Sequence, residues 1–477
     1  MRSTARAAFA ALCAFALIAG VAAAGVQQKS LFKGAPQPVG IALDAAGRLH
    51  FSWQSLDLHL HYTLLDRGKK HDQIVDATAG SGSASSIAVD RAGHPHIAYQ
   101  AQRPNASGSV LAYAHFDGTQ WQIEDLGAGG DATAIAIDAS DEPHIAHALA
   151  SGAVEILNHS EGSWERDLPD GLSSAPEVPL SLALDSAGKT HVAMETTAGR
   201  PAYATNASGD WVSEELAPEP ARGASLALDS LGLPRVALAL SDPATIRYSR
   251  FDGAQWVSED LYDPNDFGSS LVNDPRGAAL ALDPNDVPRI LFTTNFTQGT
   301  ASLEFSVFAY RDGAEWRLIT LAAQNAGDLP RLLVGGDGIA RGTYPLLSKG
   351  AQIAEYVSVA QQDLRGEWTS LSQSAAASGV TTIQGALTVH NDGPGKSPST
   401  PYILYLSDDA ALDGQDVPVV LGKKLGGVAA GSTRTLKIKL KTRAAIAGKY
   451  LIAVLDPDRI TADADRTNNV AVSPPLQ

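Results

Sequence analysis

Apolar and polar positions alternate along this chain in short runs, and one run keeps returning. Gly40-Ile-Ala-Leu-Asp44, Ser86-Ile-Ala-Val-Asp90, Ala134-Ile-Ala-Ile-Asp138, Ser181-Leu-Ala-Leu-Asp185, Ser225-Leu-Ala-Leu-Asp229 and Ala279-Leu-Ala-Leu-Asp283 share one order of small, apolar and acidic residues. Their aspartates stand 46, 48, 47, 44 and 54 residues apart. A weaker copy, Leu332-Leu-Val-Gly-Gly-Asp337, follows after another 54. A fixed period of this kind decides the architecture before any single element does.

Each copy predicts the same four strands. Three residues after the aspartate comes Gly47, Gly93, Gly188 or Gly232, with Asp141 and Asp286 in the other two. Gly, and less readily Asp, tolerates the left-handed backbone of a tight hairpin. A second apolar run follows, as in Pro95-His-Ile-Ala-Tyr99, and then a third, as in Leu111-Ala-Tyr-Ala-His-Phe116. An Asp-Gly turn (Asp117-Gly118, Asp252-Gly253) leads to a fourth strand opened by tryptophan: Trp121, Trp164, Trp211, Trp256, Trp316 or Trp368. Four short strands in about 45 residues is the period of a propeller blade, which buries its faces only against its neighbours. The prediction is an all-β chain with a seven-bladed β-propeller over residues 26–371, six blades plus an irregular segment being the alternative. The seventh copy is degenerate, and Val26 to Phe32 reads as a stray fourth strand that closes the ring.

Beyond Ser372-Gln-Ser-Ala-Ala-Ala-Ser-Gly379, a small-residue stretch expected to be a linker over 372–380, the repeat ends. Leu436-Lys-Ile-Lys-Leu-Lys441 then alternates like a strand with one dry and one wet face. Leu387-Thr-Val-His-Asn-Asp-Gly393, Tyr402-Ile-Leu-Tyr-Leu-Ser-Asp-Asp409 and Thr467-Asn-Asn469 stand in an order that closely resembles the CARDB domain, a bacterial cell-adhesion-related module. That resemblance implies an immunoglobulin-like β-sandwich over 381–477. The propeller repeats resemble NHL-type and BNR-like bacterial repeats at the level of the blade. The sialidase pattern Ser-x-Asp-x-Gly-x-x-Trp is only echoed, because in Phe251-Asp-Gly-Ala-Gln-Trp256 the Asp and Gly are adjacent. Its chemistry does not transfer.

The first 24 residues read as a secretory signal: Arg2 and Arg6, an apolar stretch Ala7 to Val21, then Ala22-Ala-Ala24 before Gly25. The protein is therefore expected outside the cytoplasm, as an extracellular, cell-surface or periplasmic protein, with no membrane span. The one cysteine, Cys13, lies in that segment, so the mature chain has no disulfide, thiolate site or cysteine nucleophile. Without the leader, 34 basic residues face 52 acidic ones, a net charge of −18. Such a surface repels phosphate backbones, and nucleic acid is excluded as a partner.

Candidate chemistry is sparse. Six residues after each repeat aspartate stands a basic side chain: His50, His96, His144, His191, Arg235 or Arg289. These could ring an anion or metal, or each could satisfy its own hairpin. The tryptophans could stack on sugars, or wedge adjacent blades together. No Gly-x-Ser-x-Gly elbow, His-Glu-x-x-His helix or phosphate-binding loop is present. The long insertion Tyr262-Asp-Pro-Asn-Asp-Phe-Gly268, continuing to Asp274, is the most distinctive loop. Asp408, Asp409, Asp413 and Asp416 form an acidic cluster that suits calcium as a cofactor, or stays solvated in turns. A second group, Asp456, Asp458, Asp463 and Asp465, is expected beside it. The expected function is binding or adhesion, with a glycan or extracellular protein recognised through the propeller. A polysaccharide-active hydrolase or lyase with carboxylates on propeller loops is the alternative, and a structural envelope protein a third.

Overall fold

The computed structural model describes residues 26–33, 35, 39–175, 178–262, 272–298, 301–323, 329–348, 351–458 and 463–477. The leader expected over 1–24 and most of the loop after Tyr262 lie outside the described residues. Four antiparallel strands, Gly40–Leu43, Leu49–Gln54, Leu60–Asp66 and Lys69–Asp76, form the first sheet in chain order from inside to outside. Five further sheets repeat this meander within 83–128, 130–167, 181–215, 221–260 and 272–323. The seventh combines Arg331–Val334, Ala340–Ser348 and Ala351–Val359 with the N-terminal strand Val26–Lys33, which pairs antiparallel to the third of them. The innermost strand of each sheet touches that of the next, and that of the seventh touches the first. The chain thus closes its ring with its own beginning, as the stray strand predicted.

The repeat aspartates explain the hairpins between first and second strands. In the first, Asp44 N donates to Arg48 O and Gly47 N to Asp44 O, closing a tight loop whose third residue must be left-handed. Gly47 has φ +76°, and Asp141 and Asp286 take the same conformation at +67° and +61°. In the seventh sheet the register corrects the sequence alignment. There Gly335 N donates to Ile339 O and Gly338 N to Gly335 O, so Gly335 occupies the aspartate position and Asp337 lies two residues late. Arg331 accordingly pairs with Thr343 as Ser225 pairs with Ala237.

Three seams between sheets use the serine that opens the repeat. Ser86, Ser181 and Ser225 accept hydrogen bonds through Oγ from Ile135 N, Leu226 N and Leu280 N of the following sheet, at 3.3, 2.9 and 2.9 Å. At the closing seam Thr343 Oγ1 donates to Val39 O at 2.7 Å. A serine at an apolar seam satisfies a backbone donor that would otherwise be costly to bury.

The second domain is a sandwich. One sheet holds Leu364–Ala375, Thr381–Asn391 and Ser432–Thr442, and the other Val417–Leu425, Thr400–Ser407, Tyr450–Leu455 and Val470–Val472. Leu364, Leu387, Leu404, Leu425 and Leu455 fill the space between them. Ile438 and Leu440 point inward while Lys437, Lys439 and Lys441 are exposed, as the alternation predicts. The expected linker is corrected: residues 364–375 form a strand paired antiparallel with 381–391 through one bulge at Thr369, and Ala376 to Gly379 are its hairpin turn. Trp368 belongs to this sandwich rather than to a blade, packing in its core and donating to Ala471 O at 3.1 Å. Small residues at a hairpin tip look like a linker in sequence because both avoid bulky side chains.

The two domains meet at Arg466, which reaches Asp312 of the sixth sheet at 2.9 Å and Asp456 of its own domain at 3.1 Å. Asp463, 0% exposed beside this junction, accepts from Leu364 N at 3.2 Å. Burial, with a smaller contribution from the nearby Asp363, pushes its carboxyl up to about 7. A carboxyl raised in the folded state stabilises fully below its unfolded value near 3.8, and that contribution is lost as pH rises through about 7. Asp463→Asn is therefore expected to melt higher than the parent protein at pH 8 and no higher at pH 4, a comparison that thermal denaturation at the two pH values checks.

Candidate functional site

On the face carrying the first-to-second-strand turns, each hairpin is tied by its own side chains. Each repeat aspartate accepts from the backbone of its loop, as Asp44 Oδ1 does from Ala46 N and Arg48 N. Its other oxygen meets the basic residue six positions on. His50 and His144 stand 3.3 and 3.5 Å from Asp44 and Asp138, His96 and His191 3.7 Å from Asp90 and Asp185, and Arg289 2.8 Å from Asp283. Arg235 pairs with Asp229. Arg341 is the seventh member, six residues after Gly335, and it turns to Asp337 at 2.5 Å. The sequence alignment missed it because of the two-residue shift.

Behind the imidazoles stand tyrosines: His50 Nδ1 lies 2.8 Å from Tyr62 Oη, and His96 and His191 lie 2.6 Å from Tyr113 and Tyr203. Burial lowers the pKa of His50 and His191 and brings His96 down to about 4, so these rings are neutral at neutral pH. Neutral, inward-bonded imidazoles make a poor anion site and a good hairpin brace. His96→Ala is expected to cost about 1–3 kcal/mol of stability and to leave ligand binding unchanged. A histidine depressed in the folded state gives up its contribution as pH falls from about 6.5 to about 4. The deficit of the variant should shrink over that window, which denaturation at several pH values measures.

The tryptophans are wedges between sheets. Trp121, Trp164, Trp256 and Trp316 meet Tyr62, Tyr113, Tyr203 and Tyr248 of the preceding sheet edge-on, with centroids 5.2, 5.2, 5.4 and 5.7 Å apart. Their indole N–H groups reach the same neighbour's outer strand: Trp121 donates to Gln73, Trp164 to Glu124, Trp211 to Asp167 and Trp256 to Glu214. These contacts give the half-exposed indoles a packing role in the seams.

At the other end of the inner strands, four to seven residues before the aspartates, an axial cavity of about 250 Å³ opens. Its wall is mostly small or aliphatic, including Ser86, Ala134, Ser181, Ser225 and Ala279. Two charged side chains enter it, Arg222 and Arg331. Arg222 lies 3.4 Å from Asp274, which also pairs with Arg276 at 2.9 Å. Glu195 stands near Arg222 and Gly223, and burial raises its carboxyl above the ordinary value. Arg331 donates only to Pro330 O at 3.3 Å, and among the described residues no carboxylate pairs with it.

The acidic clusters of the sandwich do not converge. Asp408 pairs with Lys449. Asp409 and Asp413 accept from Ala411 N and Gln415 N of their own turns, and Asp416 accepts from Asp413 N. Among the described residues no group of three His, Cys, Asp or Glu side chains is placed to hold a metal ion. The second cluster is not beside the first. Asp408 follows Ser407, which pairs with Tyr450, whereas Asp456 follows Leu455, which pairs with Tyr402. Antiparallel pairing therefore sends the two groups to opposite ends of a six-residue ladder, about 20 Å apart.

No curated protein matches the chain. Among solved structures, the six-bladed fucose-recognising lectin of Aleuria aurantia is similar at 15% identity, with a TM-score of 0.41, over 61% of this chain and 97% of its own. A protein of unknown function from Dyadobacter fermentans is similar at 12% identity, with a TM-score of 0.42, over 70% of this chain and 99% of its own. A fucose lectin from Kordia zhangzhouensis covers 27% of this chain and 96% of its own at 20% identity, with a TM-score of 0.22. The CARDB family model matches residues 362–473, beginning where the sandwich's first strand begins. The C-terminal part of this chain is a CARDB domain.

Proposed function

We propose that this is an exported binding or adhesion protein that recognises a glycan through the axial cavity of its propeller, with the CARDB domain as a second, adhesion-related module. The observation that carries this is the contrast between the two ends of the inner strands. At one end aspartates and basic residues are paired with each other within every sheet's own hairpin. The other opens a concave, partly polar cavity of about 250 Å³, just below the usual range of small-molecule pockets. Hydroxyls, backbone groups and guanidinium donors at one site suit the hydroxyl-rich, weakly apolar surface of a sugar. Placement outside the cytoplasm fits the N-terminal leader, and among the described residues no helix is long and apolar enough to cross a membrane.

A glycan array combined with a reducing-sugar release assay tests this function. Binding without release is the expected result. Release of sugar would favour a hydrolase, and a protein ligand with no glycan binding would retain the adhesion role while removing the sugar.

A further inference from the structure

The seven inner strands can be superposed residue by residue through their pairing. Gly40, Ser86, Ala134, Ser181, Ser225 and Ala279 each pair with the residue eight positions after the turn position of their own sheet. In the seventh sheet that place belongs to Arg331, opposite Thr343. Six sheets thus carry Gly, Ser or Ala where one carries arginine. A residue that served the fold would recur with the repeat, as the turn aspartates do. An arginine that appears once, at a position otherwise kept small, is asymmetric in a ring whose structural needs are symmetric.

Its surroundings sharpen the point. Arg331 lines the axial cavity, and its guanidinium has one long hydrogen bond, to the carbonyl of Pro330, with no carboxylate partner among the described residues. Elsewhere the chain is rich in acid, with 52 carboxylates against 36 basic residues, and the other arginine of the cavity already has Asp274. Burial pulls the pKa of Arg331 down to about 10, which leaves it protonated at neutral pH. A half-buried cation with no carboxylate partner among the described residues is costly, and an anionic ligand relieves that cost. The planar fork of arginine suits the two oxygens of a carboxylate.

Building on the glycan-binding function proposed above, the geometry points to an acidic ligand: the axial cavity takes the carboxylate-bearing end of a glycan, with Arg331 as its charged anchor. Arg222 lies in the same wall and adds a second, partly neutralised guanidinium. The cavity has room for about one sugar ring, so recognition is of a terminal acidic residue rather than of a stretch of chain.

The test is an array carrying uronate- and sialate-terminated glycans, their neutral parents and sulfated counterparts, read with the full chain and with Arg331→Gln. The carboxylated glycans should bind about tenfold or more tightly than their neutral parents, and Arg331→Gln should remove that preference. Arg200→Gln, which loses only an exposed pair with Glu215, should keep it. Thermal melting of Arg331→Gln at or above that of the parent chain would show that the loss is not unfolding. Neutral parents binding as tightly as the acids, or an acid preference that survives Arg331→Gln, would overturn the inference while leaving glycan binding intact. Binding of sulfated glycans alone would overturn the carboxylate assignment. No binding to any glycan would remove the broader function as well.

Discussion

Phe32→Ala is expected to destabilise the propeller by about 3–5 kcal/mol, the usual cost of emptying a large aromatic site in a core. Phe32 is 0% exposed although it lies near the beginning of the chain. It packs at a tilt against Phe51 and Trp53 of the first sheet, with centroids 5.1 and 5.3 Å away, and Lys70 sits over its ring at 4.7 Å. The strand that carries it completes the seventh sheet, so one side chain staples the last sheet to the first. A ring opened at this seam exposes two sheet faces rather than one cavity. Equilibrium denaturation measures the loss, and Phe32→Leu should recover most of it because volume is largely kept. A cost below about 1 kcal/mol would mean that the N-terminal strand does not close the ring.

Arg466→Ala is expected to cost a similar amount, about 3–5 kcal/mol, for an electrostatic reason. Its guanidinium bridges Asp312 of the propeller and Asp456 of the sandwich, both nearly inaccessible. Removing it takes a cation away from two carboxylates in a region of low dielectric, Asp312 keeping Arg317 at 3.3 Å. Because the bridge joins the domains, the single melting transition expected of the parent chain should split, with the sandwich unfolding first. Arg466→Lys should recover only part of the loss, since a point charge cannot face both acids as the planar fork does. An unsplit transition at the parent temperature would show that the domains dock through other contacts.

The repeat was legible because its strongest constraints are local. An aspartate that ties its own loop, a left-handed third residue and a tryptophan reaching the preceding sheet each recur at a fixed spacing, whatever the rest of the fold does. What stayed hidden depends on pairing. Gly335-Gly336-Asp337 offers an aspartate two residues late, and only the ladder to Ala340–Ser348 shows that Gly335 is the turn residue. Arg331 has no distinction in sequence until that register is known. Trp368 mimicked a blade strand because a tryptophan near a strand start looks alike in both domains, although its partners are residues 381–391. The acidic clusters were misplaced for the same reason: which strand end a loop occupies follows from its partner, as Ser407 with Tyr450 shows.

Hydrogen exchange of the full chain, with and without the strongest glycan from the array, tests most directly which face of the propeller binds. Segments that line the axial cavity, 179–182, 222–226, 277–280 and 329–332, should gain protection when the glycan is bound. The turns at 44–50, 90–96 and 185–191, already tied by their own aspartates, should exchange as before. Protection confined to those turns, or to the outer strands that carry the tryptophans, would contradict the account and move the binding site away from the cavity.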